Sequence, residues 1–284
     1  MDISKIGVVG AGTMGNGIAQ TFAIAGYEVV MRDIEDKYLE RGMTAIGRSL
    51  ERLAARGKLS AEQRDEALGR IRPSTDLGRM ADRDLVIEAI LENSDLKSKL
   101  MQDLDALCRP DTILASNTSS ISVTRIASAS REPGRVIGMH FFNPVPMMKL
   151  VEIVRALQTT DQVCEATKAV TIAIGKTPHV SKDSYGFVVN RVLIPMINEA
   201  INCVYEGLAT PEDVDAMMKL GANHPMGPLS LADLIGLDIV LDIMETLYQG
   251  FDDPKYRPSP LLKQMVDAGY LGRKTQRGFF RYAS

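Results

Sequence analysis

The length, composition and charge of the chain exclude several classes of protein. Its 284 residues, 45% of them hydrophobic and 24% charged, are typical of a soluble globular protein with two domains or one large one. The net charge of −3 argues against a polyanion-binding surface, so we do not expect nucleic acid as a partner.

The apolar runs and the cysteines predict the compartment. No run approaches about 18 consecutive apolar residues, so we expect no membrane span. Cys108, Cys164 and Cys203 are odd in number and share no metal-like spacing, which predicts free thiols and no metal site. Asp2 precedes a short strand and a glycine turn, a start that is unlike a signal peptide. We therefore expect a cytoplasmic protein.

The first two thirds of the chain alternate between apolar runs and helical patterns. The apolar runs predict strands at 5–9, 28–31, 84–89, 112–115, 135–142 and 150–155. The helical patterns lie directly after a glycine turn at 10–15 and at 36–68, 95–107 and 162–174. Strands that alternate with helices predict a mostly parallel sheet covered on both faces, which is the α/β class.

The pattern changes near Ser184, beyond which we find no convincing strand. Helical patterns cover 188–206, 211–220, 230–247 and 260–268. We therefore predict a Rossmann-type domain at 1–184, followed by an all-α domain at 185–284.

The glycine turn has the spacing of a dinucleotide-binding loop. It reads Gly10-Ala11-Gly12-Thr13-Met14-Gly15, follows a strand and opens a helix, which is the context that this motif requires. Gly10 would permit the tight turn, Gly12 would let the backbone approach a pyrophosphate, and Gly15 would allow close helix–strand packing. An ordinary glycine turn is the structural alternative.

An acidic residue ends the second predicted strand. Asp33 lies 23 residues after Gly10 and is placed to hydrogen-bond the ribose hydroxyls of an adenosine. Its charge would repel a 2′-phosphate, which favours NAD over NADP. The neighbouring Arg32 weakens that preference.

One histidine and one glutamate lie within the apolar runs of the segment 139–154. His140 and Glu152 are twelve residues apart, so they can meet only if adjacent strands bring them together. If they meet, Glu152 would orient His140 and stabilise its imidazolium form. That arrangement suits proton transfer near neutral pH. A buried structural histidine and a glutamate at a strand end form the alternative.

Taken together, the motifs resemble the L-3-hydroxyacyl-CoA dehydrogenase family over essentially residues 3–282. The similarity is greatest to its compact bacterial members that act on 3-hydroxybutyryl-CoA. The motifs that carry the resemblance are VVGAGTMGNGIAQ, EVVMRD, DLVIEAILEN, ILASNTSSIS, IGMHFFNPVPMMKLVEIV, GFVVNR, KLGANHPMGP and LGRKTQRGF.

The resemblance implies a reaction and a catalytic set. The reaction is the NAD-dependent interconversion of (S)-3-hydroxyacyl-CoA, such as 3-hydroxybutyryl-CoA, and 3-ketoacyl-CoA, such as acetoacetyl-CoA. The implied catalytic residues are His140 with Glu152, together with Ser119 and Asn190. On the residues alone, Ser119 reads equally as a helix N-cap and Asn190 as a solvent-facing residue in a helix.

The resemblance also implies contacts to both nucleotides. For NAD it adds Glu92, Lys97, Asn117 or Ser119, Asn143 and Lys274. For coenzyme A it indicates Ser49 and Arg56, and Ser119 would hydrogen-bond the thioester carbonyl or the reacting oxygen. Arg52 shares a predicted helix face with Ser49 and Arg56 at i, i+3 and i+7, with Arg48 and Lys58 beside it. A merely solvated basic face is the alternative.

Two departures from the family pattern and two rival functions stay open. Tyr185 stands where a proline is usual before Gly186, and Gln276 stands where a further glycine is usual in the tail. The rivals are another two-domain β-hydroxyacid dehydrogenase and a non-catalytic nucleotide-binding protein. The first would need a lysine where Asn190 stands, and the second would lack the His–Glu pair.

The family is usually dimeric through its helical domain, so we expect a homodimer. The methionines of the C-terminal helices fit that expectation and an ordinary core equally well. They are Met217, Met218, Met226 and Met244.

Overall fold

In the computed structural model, which describes residues 3–282, the first part of the chain forms one sheet of eight strands. The strands are β1 Lys5–Val9, β2 Glu28–Arg32, β3 Ile71–Ser74, β4 Leu85–Glu88, β5 Ile113–Ser116, β6 Val136–Phe141, β7 Leu150–Arg155 and β8 Thr177–Lys182. Their order is β3-β2-β1-β4-β5-β6-β7-β8, and neighbours are parallel except β6 and β7. The predicted α/β class with a mostly parallel sheet is thereby confirmed.

Helices connect and flank these strands. They are α1 Thr13–Ile24, α2 Asp36–Ala55, α3 Ala61–Gly69, α4 Ser94–Leu107, α5 Val123–Ala127 and α6 Asp161–Ala173. The helical pattern over residues 36–68 consists of two helices, α2 and α3, because a capping box starts α3 separately. The Ser60 hydroxyl accepts from the Gln63 N–H at 3.2 Å, and the Gln63 side chain accepts from the Ser60 N–H at 2.9 Å.

The two strands that the sequence pattern missed lie at the two edges of the sheet. β3 and β8 each have one neighbouring strand, so their side chains are less covered than those of the inner strands. In β3 only Ile71 is buried, and every residue of β8 is exposed or half-buried. Neither strand therefore carries the continuous apolar run that marks a strand buried on both faces.

The second part of the chain is helical. A compact first unit ends at Asp183 and a second begins at Ser184, one residue before the predicted division. The second unit contains α7 Val189–Tyr205, α8 Pro211–Gly221, α9 Pro228–Ile235, α10 Leu237–Phe251 and α11 Pro260–Asp267. A single helix over residues 230–247 was the wrong prediction, because Gly236 separates α9 from α10 with a φ of 107°. Glycine adopts this conformation without the strain that a side chain would add.

Each unit has its own apolar core. In the first unit, Ile6, Val8 and Phe22 are fully buried in a cluster formed by side chains of the sheet and of its helices. In the second, Ile197 and Met244 are fully buried among the helices. Within residues 3–282, no helix is long and apolar enough to cross a membrane. Burial of this kind is the main term that stabilises a fold.

Candidate active site

The glycine loop between β1 and α1 has the shape that a dinucleotide needs. A Cβ on Gly10, whose φ is 108°, would lie 2.5 Å from the Ala89 carbonyl oxygen, and one on Gly15 would lie 1.7 Å from the Gly10 carbonyl oxygen. A Cβ on Gly12 would meet no atom within 4 Å. Gly10 and Gly15 are therefore required by the protein itself, whereas Gly12 borders open space at the start of α1. The loop thus fits the pyrophosphate of a dinucleotide.

Asp33 fastens this loop from the end of β2. Its Oδ2 accepts a hydrogen bond from the Ala11 N–H and its Oδ1 accepts one from the Ile34 N–H, both at 2.7 Å. Each carboxylate oxygen has a second lone pair, so the same group can also accept from ribose hydroxyls. Arg32 donates through Nε to the Thr75 carbonyl at 3.3 Å. These contacts fit an adenosine bound beside the Asp33 carboxylate.

His140 and Glu152 meet across the antiparallel pair β6–β7. Their Cα atoms are in register, and His140 Nδ1 lies 2.7 Å from Glu152 Oε2. Both side chains are buried, at 7% and 4% exposed. The prediction that adjacent strands bring the two together is confirmed. Because a carboxylate only accepts, Nδ1 carries the hydrogen and Nε2 is the nitrogen that can exchange a proton.

Asn117 connects the end of β5 to the histidine strand. Its side-chain oxygen accepts at 2.9 Å from the backbone N–H of Phe141, which follows His140 in the chain. The backbone N–H of Asn117 donates to the Glu88 carbonyl, also at 2.9 Å. The amide oxygen is thus used within the protein. The amino group is therefore the end of Asn117 that suits an acceptor on a ligand.

Glu92 binds the loop that follows Asn117. Its Oε1 accepts from the Thr118 hydroxyl at 2.6 Å, from the Ser119 N–H at 2.8 Å and from the Ser120 N–H at 3.1 Å. Partial burial would raise the pKa of the Glu92 carboxyl, but the Lys97 ammonium and these donors outweigh it and lower the pKa. Glu92 is thus an anion that accepts hydrogen bonds from the loop carrying Ser119.

Lys97 lies beneath this loop in a buried ion pair. Its side chain is 1% exposed, and its Nζ lies 2.8 Å from Glu88 Oε2 and 3.2 Å from Glu92 Oε2. The ammonium therefore contacts carboxylates of the protein itself. A contact of Lys97 with the cofactor stays a prediction.

The loop at 142–149 joins β6 to β7 and carries Asn143, which is exposed. The Asn143-Pro144 peptide bond is cis. Buried Lys176 donates to the Val145 carbonyl at 2.5 Å and to the Met148 carbonyl at 2.7 Å, and burial lowers the pKa of its ammonium. The base of the loop is therefore held in place while Asn143 faces outward.

Comparison with known proteins identifies the family of the chain that carries these groups. The family described as 3-hydroxyacyl-CoA dehydrogenase, NAD binding domain, matches residues 5–184, and its C-terminal domain matches residues 186–282. The chain belongs to the 3-hydroxyacyl-CoA dehydrogenase family. This membership confirms the resemblance, the NAD-dependent dehydrogenase class and the predicted cofactor.

Individual relatives match this dehydrogenase along its whole length. A protein of Deinococcus radiodurans named as a probable 3-hydroxybutyryl-CoA dehydrogenase is 54% identical over 98% of this chain and 100% of its own. The 3-hydroxybutyryl-CoA dehydrogenase of Bradyrhizobium diazoefficiens is 51% identical over 99% of this chain and 96% of its own. The crystal structure of an (S)-3-hydroxybutyryl-CoA dehydrogenase from Ralstonia eutropha has a TM-score of 0.96 at 52% identity, covering 100% of both chains.

In this dehydrogenase the predicted coenzyme A face lies at the end of α2. Arg52 and Arg56 are exposed and Ser49 is half-buried, while Ile46 and Leu50 turn the opposite face of the helix into the core. Within residues 3–282, neither Arg52 nor Arg56 forms an ion pair with a protein carboxylate. Both guanidinium groups are therefore available to phosphates.

Two predicted site residues of the dehydrogenase lie in the helical unit. Asn190, in the first turn of α7, is 8% exposed, so the alternative of a solvent-facing residue is wrong. Lys274, in the tail, forms an ion pair with Asp238 in the first turn of α10. The contribution of Asn190 to catalysis and of Lys274 to cofactor binding stays a prediction.

Sequence reasoning missed two buried charged residues next to the predicted ones. Glu88 ends β4 and is fully buried, and Lys176 precedes β8. An acidic residue that closes an apolar strand, as in LVIE, was the available signal for Glu88. Lys176 has no such signal, because only the folded chain brings it to the loop at 142–149.

Proposed function

We propose that this protein interconverts (S)-3-hydroxybutyryl-CoA and acetoacetyl-CoA with NAD(H). The observation that carries the proposal is the buried His140–Glu152 contact of 2.7 Å in a chain of this NAD-binding family. Relatives named for this reaction, about half identical over the whole chain, support the short-chain substrate. A β-hydroxyacid dehydrogenase with a catalytic lysine is less well supported, because Asn190 stands at that position.

His140 would move the proton of the 3-hydroxyl group. The bound cofactor would supply the hydride acceptor for C3 of the hydroxyacyl group as NAD, and the hydride donor as NADH. In the oxidative direction neutral His140 takes the hydroxyl proton through Nε2, and in the reductive direction the imidazolium donates it to the 3-ketone. Glu152 fixes the tautomer through Nδ1–H and stabilises the imidazolium.

The remaining residues would bind and orient the two nucleotides. Ser119 and Asn190 would hydrogen-bond the reacting oxygen or the thioester carbonyl. Asn117 or Ser119 would contact the nicotinamide end of NAD, with Glu92, Lys97, Asn143 and Lys274 as further predicted cofactor residues. Ser49, Arg52 and Arg56 would hold the phosphates of coenzyme A, since guanidinium groups bind phosphate oxygens in pairs.

A steady-state assay of the purified chain tests the substrate and the cofactor together. Acetoacetyl-CoA and 3-ketoacyl-CoAs of increasing chain length are each reduced with NADH and with NADPH. We expect the highest kcat/KM for acetoacetyl-CoA with NADH. A higher kcat/KM for long chains would contradict the substrate, and preference for NADPH would contradict the reading of Asp33.

We also propose a cytoplasmic homodimer formed through the helical unit. Large apolar side chains are exposed on α7, α8 and the turn between them, including Val192 at 67%, Leu208 at 76% and Met217 at 64%. Met244, in contrast, belongs to the core. Three free cysteines suit a reducing compartment. Light scattering should give twice the chain mass of 31.1 kDa, and a monomer would contradict the proposal.

A further inference from the structure

A buried carboxylate at the end of β4 underlies the loop that carries Ser119. Glu88 is 0% exposed and Lys97 is 1% exposed, so two opposite charges are enclosed at the carboxyl end of a parallel strand. We propose that Glu88 is a positioning residue, which orders the Thr118–Ser120 loop through Lys97 and Glu92 for the nicotinamide end of the cofactor. The inference rests on the proposed contact of that end with Asn117 or Ser119.

The first link joins one ammonium to two carboxylates. Lys97 Nζ lies 2.9 and 2.8 Å from the two oxygens of Glu88, and 3.2 Å from Glu92 Oε2. Both oxygens of Glu88 thus contact the Lys97 ammonium, and one oxygen of Glu92 contacts the same ammonium. Without Glu88, Lys97 would be a buried cation with one partially exposed anion, which is an unfavourable arrangement.

The second link joins Glu92 to the loop backbone. While its Oε2 faces Lys97, its Oε1 accepts from the N–H groups of Ser119 and Ser120 at 2.8 and 3.1 Å. The Glu92 side chain is 36% exposed, so burial alone does not hold it in one rotamer. The ion pair with Lys97 therefore holds Oε2, while the Thr118 hydroxyl at 2.6 Å and the two N–H groups hold Oε1.

A third link reaches the same loop from Ser116. The Ser116 hydroxyl donates to Glu88 Oε1, and its oxygen accepts from the Thr118 N–H at 3.2 Å. Because Glu88 can only accept, it sets the direction of the Ser116 hydroxyl and leaves the oxygen lone pair for Thr118. Glu88 therefore acts on the loop along two paths, which converge on Thr118 and its neighbours.

Stability alone does not account for this arrangement. A buried ion pair is often no more stabilising than well-packed apolar residues of the same volume, because both charges lose their hydration. The feature that apolar residues could not reproduce here is the fixed position of the Glu92 carboxylate. The network also lies at the carboxyl ends of β4 and β5, which is where ligands of parallel sheets bind.

The test separates binding at the two ends of the cofactor. NADH contains the nicotinamide end and ADP-ribose lacks it, so the ratio of their Kd values isolates that end. In Glu88→Gln we expect the Kd of NADH to rise about tenfold, the value of one charge-assisted hydrogen bond, while the Kd of ADP-ribose stays within about twofold. An unchanged ratio would overturn the proposal.

A double variant separates positioning from stability. Glu88→Leu with Lys97→Met removes both charges, so the melting temperature should return towards that of the wild type. The Kd ratio should stay altered, because Glu92 no longer has its cation. Recovery of the ratio together with the melting temperature would show that the pair serves only the fold, and would overturn the proposal.

A control variant completes the design. Asp105→Asn is the matched control: Asp105 is 3% exposed in its pair with Arg135, near the end of α4. It should lower the melting temperature and leave the ratio unchanged. A wild type that binds no NADH would instead contradict the proposed function.

Discussion

At the scale of single residues, His140 is the group on which the proposed chemistry depends. In the proposed mechanism its imidazole exchanges a proton with the substrate, whereas the dinucleotide would bind at the glycine loop and Asp33. His140→Ala should therefore lower kcat about 10²- to 10⁴-fold and leave the Kd of NADH unchanged. Stopped-flow reduction of acetoacetyl-CoA and a fluorescence titration with NADH measure the two quantities. Turnover like that of the wild type would refute the mechanism.

The partner of this histidine should govern the pH dependence of the rate. Glu152→Gln keeps the shape of the side chain but removes the negative charge that would stabilise the imidazolium of His140. Reduction needs the imidazolium, so its alkaline limb should move to lower pH. Oxidation needs the neutral ring, so its acidic limb should move in the same direction.

Rate profiles in both directions, measured beside a surface control, check this prediction. Glu165→Gln removes a carboxylate that is 68% exposed on α6, and it should leave both limbs in place. If the profiles of Glu152→Gln also coincide with those of the wild type, Glu152 is only a strand-end residue.

At the scale of elements, Asp105 ties the end of α4 to the start of β6. It accepts from the Ser130 hydroxyl at 2.5 Å, from the Arg131 N–H at 3.0 Å and from the Arg135 guanidinium at 2.9 Å. Burial alone would raise the pKa of Asp105, but these donors outweigh it and hold the pKa well below its usual value. The ionised carboxylate therefore stabilises the folded chain above the unfolded pKa of about 3.9.

Asp105→Asn should lower the free energy of unfolding by about 3 kcal/mol at pH 7, because Arg135 is left buried without its anion. Below about pH 4 the unfolded wild type takes up a proton that the folded protein does not, so the difference should narrow at pH 3. Urea unfolding at both pH values measures it. Asp111→Asn, at a carboxylate that is 69% exposed, should change the free energy of unfolding little. An equal loss of stability in that variant would show that the effect is not specific to Asp105.

The break between α9 and α10 makes a prediction about the backbone. Gly236 has a φ of 107°, and a Cβ there would lie 2.9 Å from Asp238 Oδ1. Gly236→Ala should therefore destabilise the chain by about 2 kcal/mol. Gly221→Ala is the control, because a Cβ at Gly221 in α8 meets nothing within 4 Å. Equal melting temperatures for the two variants would contradict this reading.

The same elements show what a sequence can predict. The inner strands were found because they are buried on both faces, and His140 with Glu152 because polar residues stand out in apolar runs. The edge strands β3 and β8 lack that burial, and one glycine within an apolar helical pattern does not reveal its φ. The contact of Glu88 with Lys97, nine residues apart on a strand and a helix, exists only once the first turn of α4 reaches the carboxyl end of β4.

At the scale of the whole molecule, a chain of net charge −3 has to bind two polyanionic nucleotides. Overall attraction is therefore absent, and we propose that the phosphates of coenzyme A bind local cations, namely Arg52 and Arg56 at the end of α2. Arg56→Gln should raise the KM of acetoacetyl-CoA about tenfold and leave the Kd of NADH unchanged. Added salt should weaken this difference, because exposed charges are screened.

Steady-state kinetics at two ionic strengths measure the effect of Arg56. Lys99→Gln, which removes a side chain 68% exposed on α4, serves as the control for net charge. A similar rise of KM in both variants would show that total charge, and not the α2 site, attracts the substrate.

The antiparallel pairing of β6 with β7 places His140 and Glu152 by the backbone of two strands and not by the loop between them. Hydrogen-bond register places His140 opposite Glu152, so the proton-transfer pair does not depend on side chains of the connecting loop. Met147 and Met148 in that loop are 49% and 41% exposed, so their side chains take no part in holding the two strands in register. Substitutions at these loop positions should therefore leave His140 and Glu152 opposite each other.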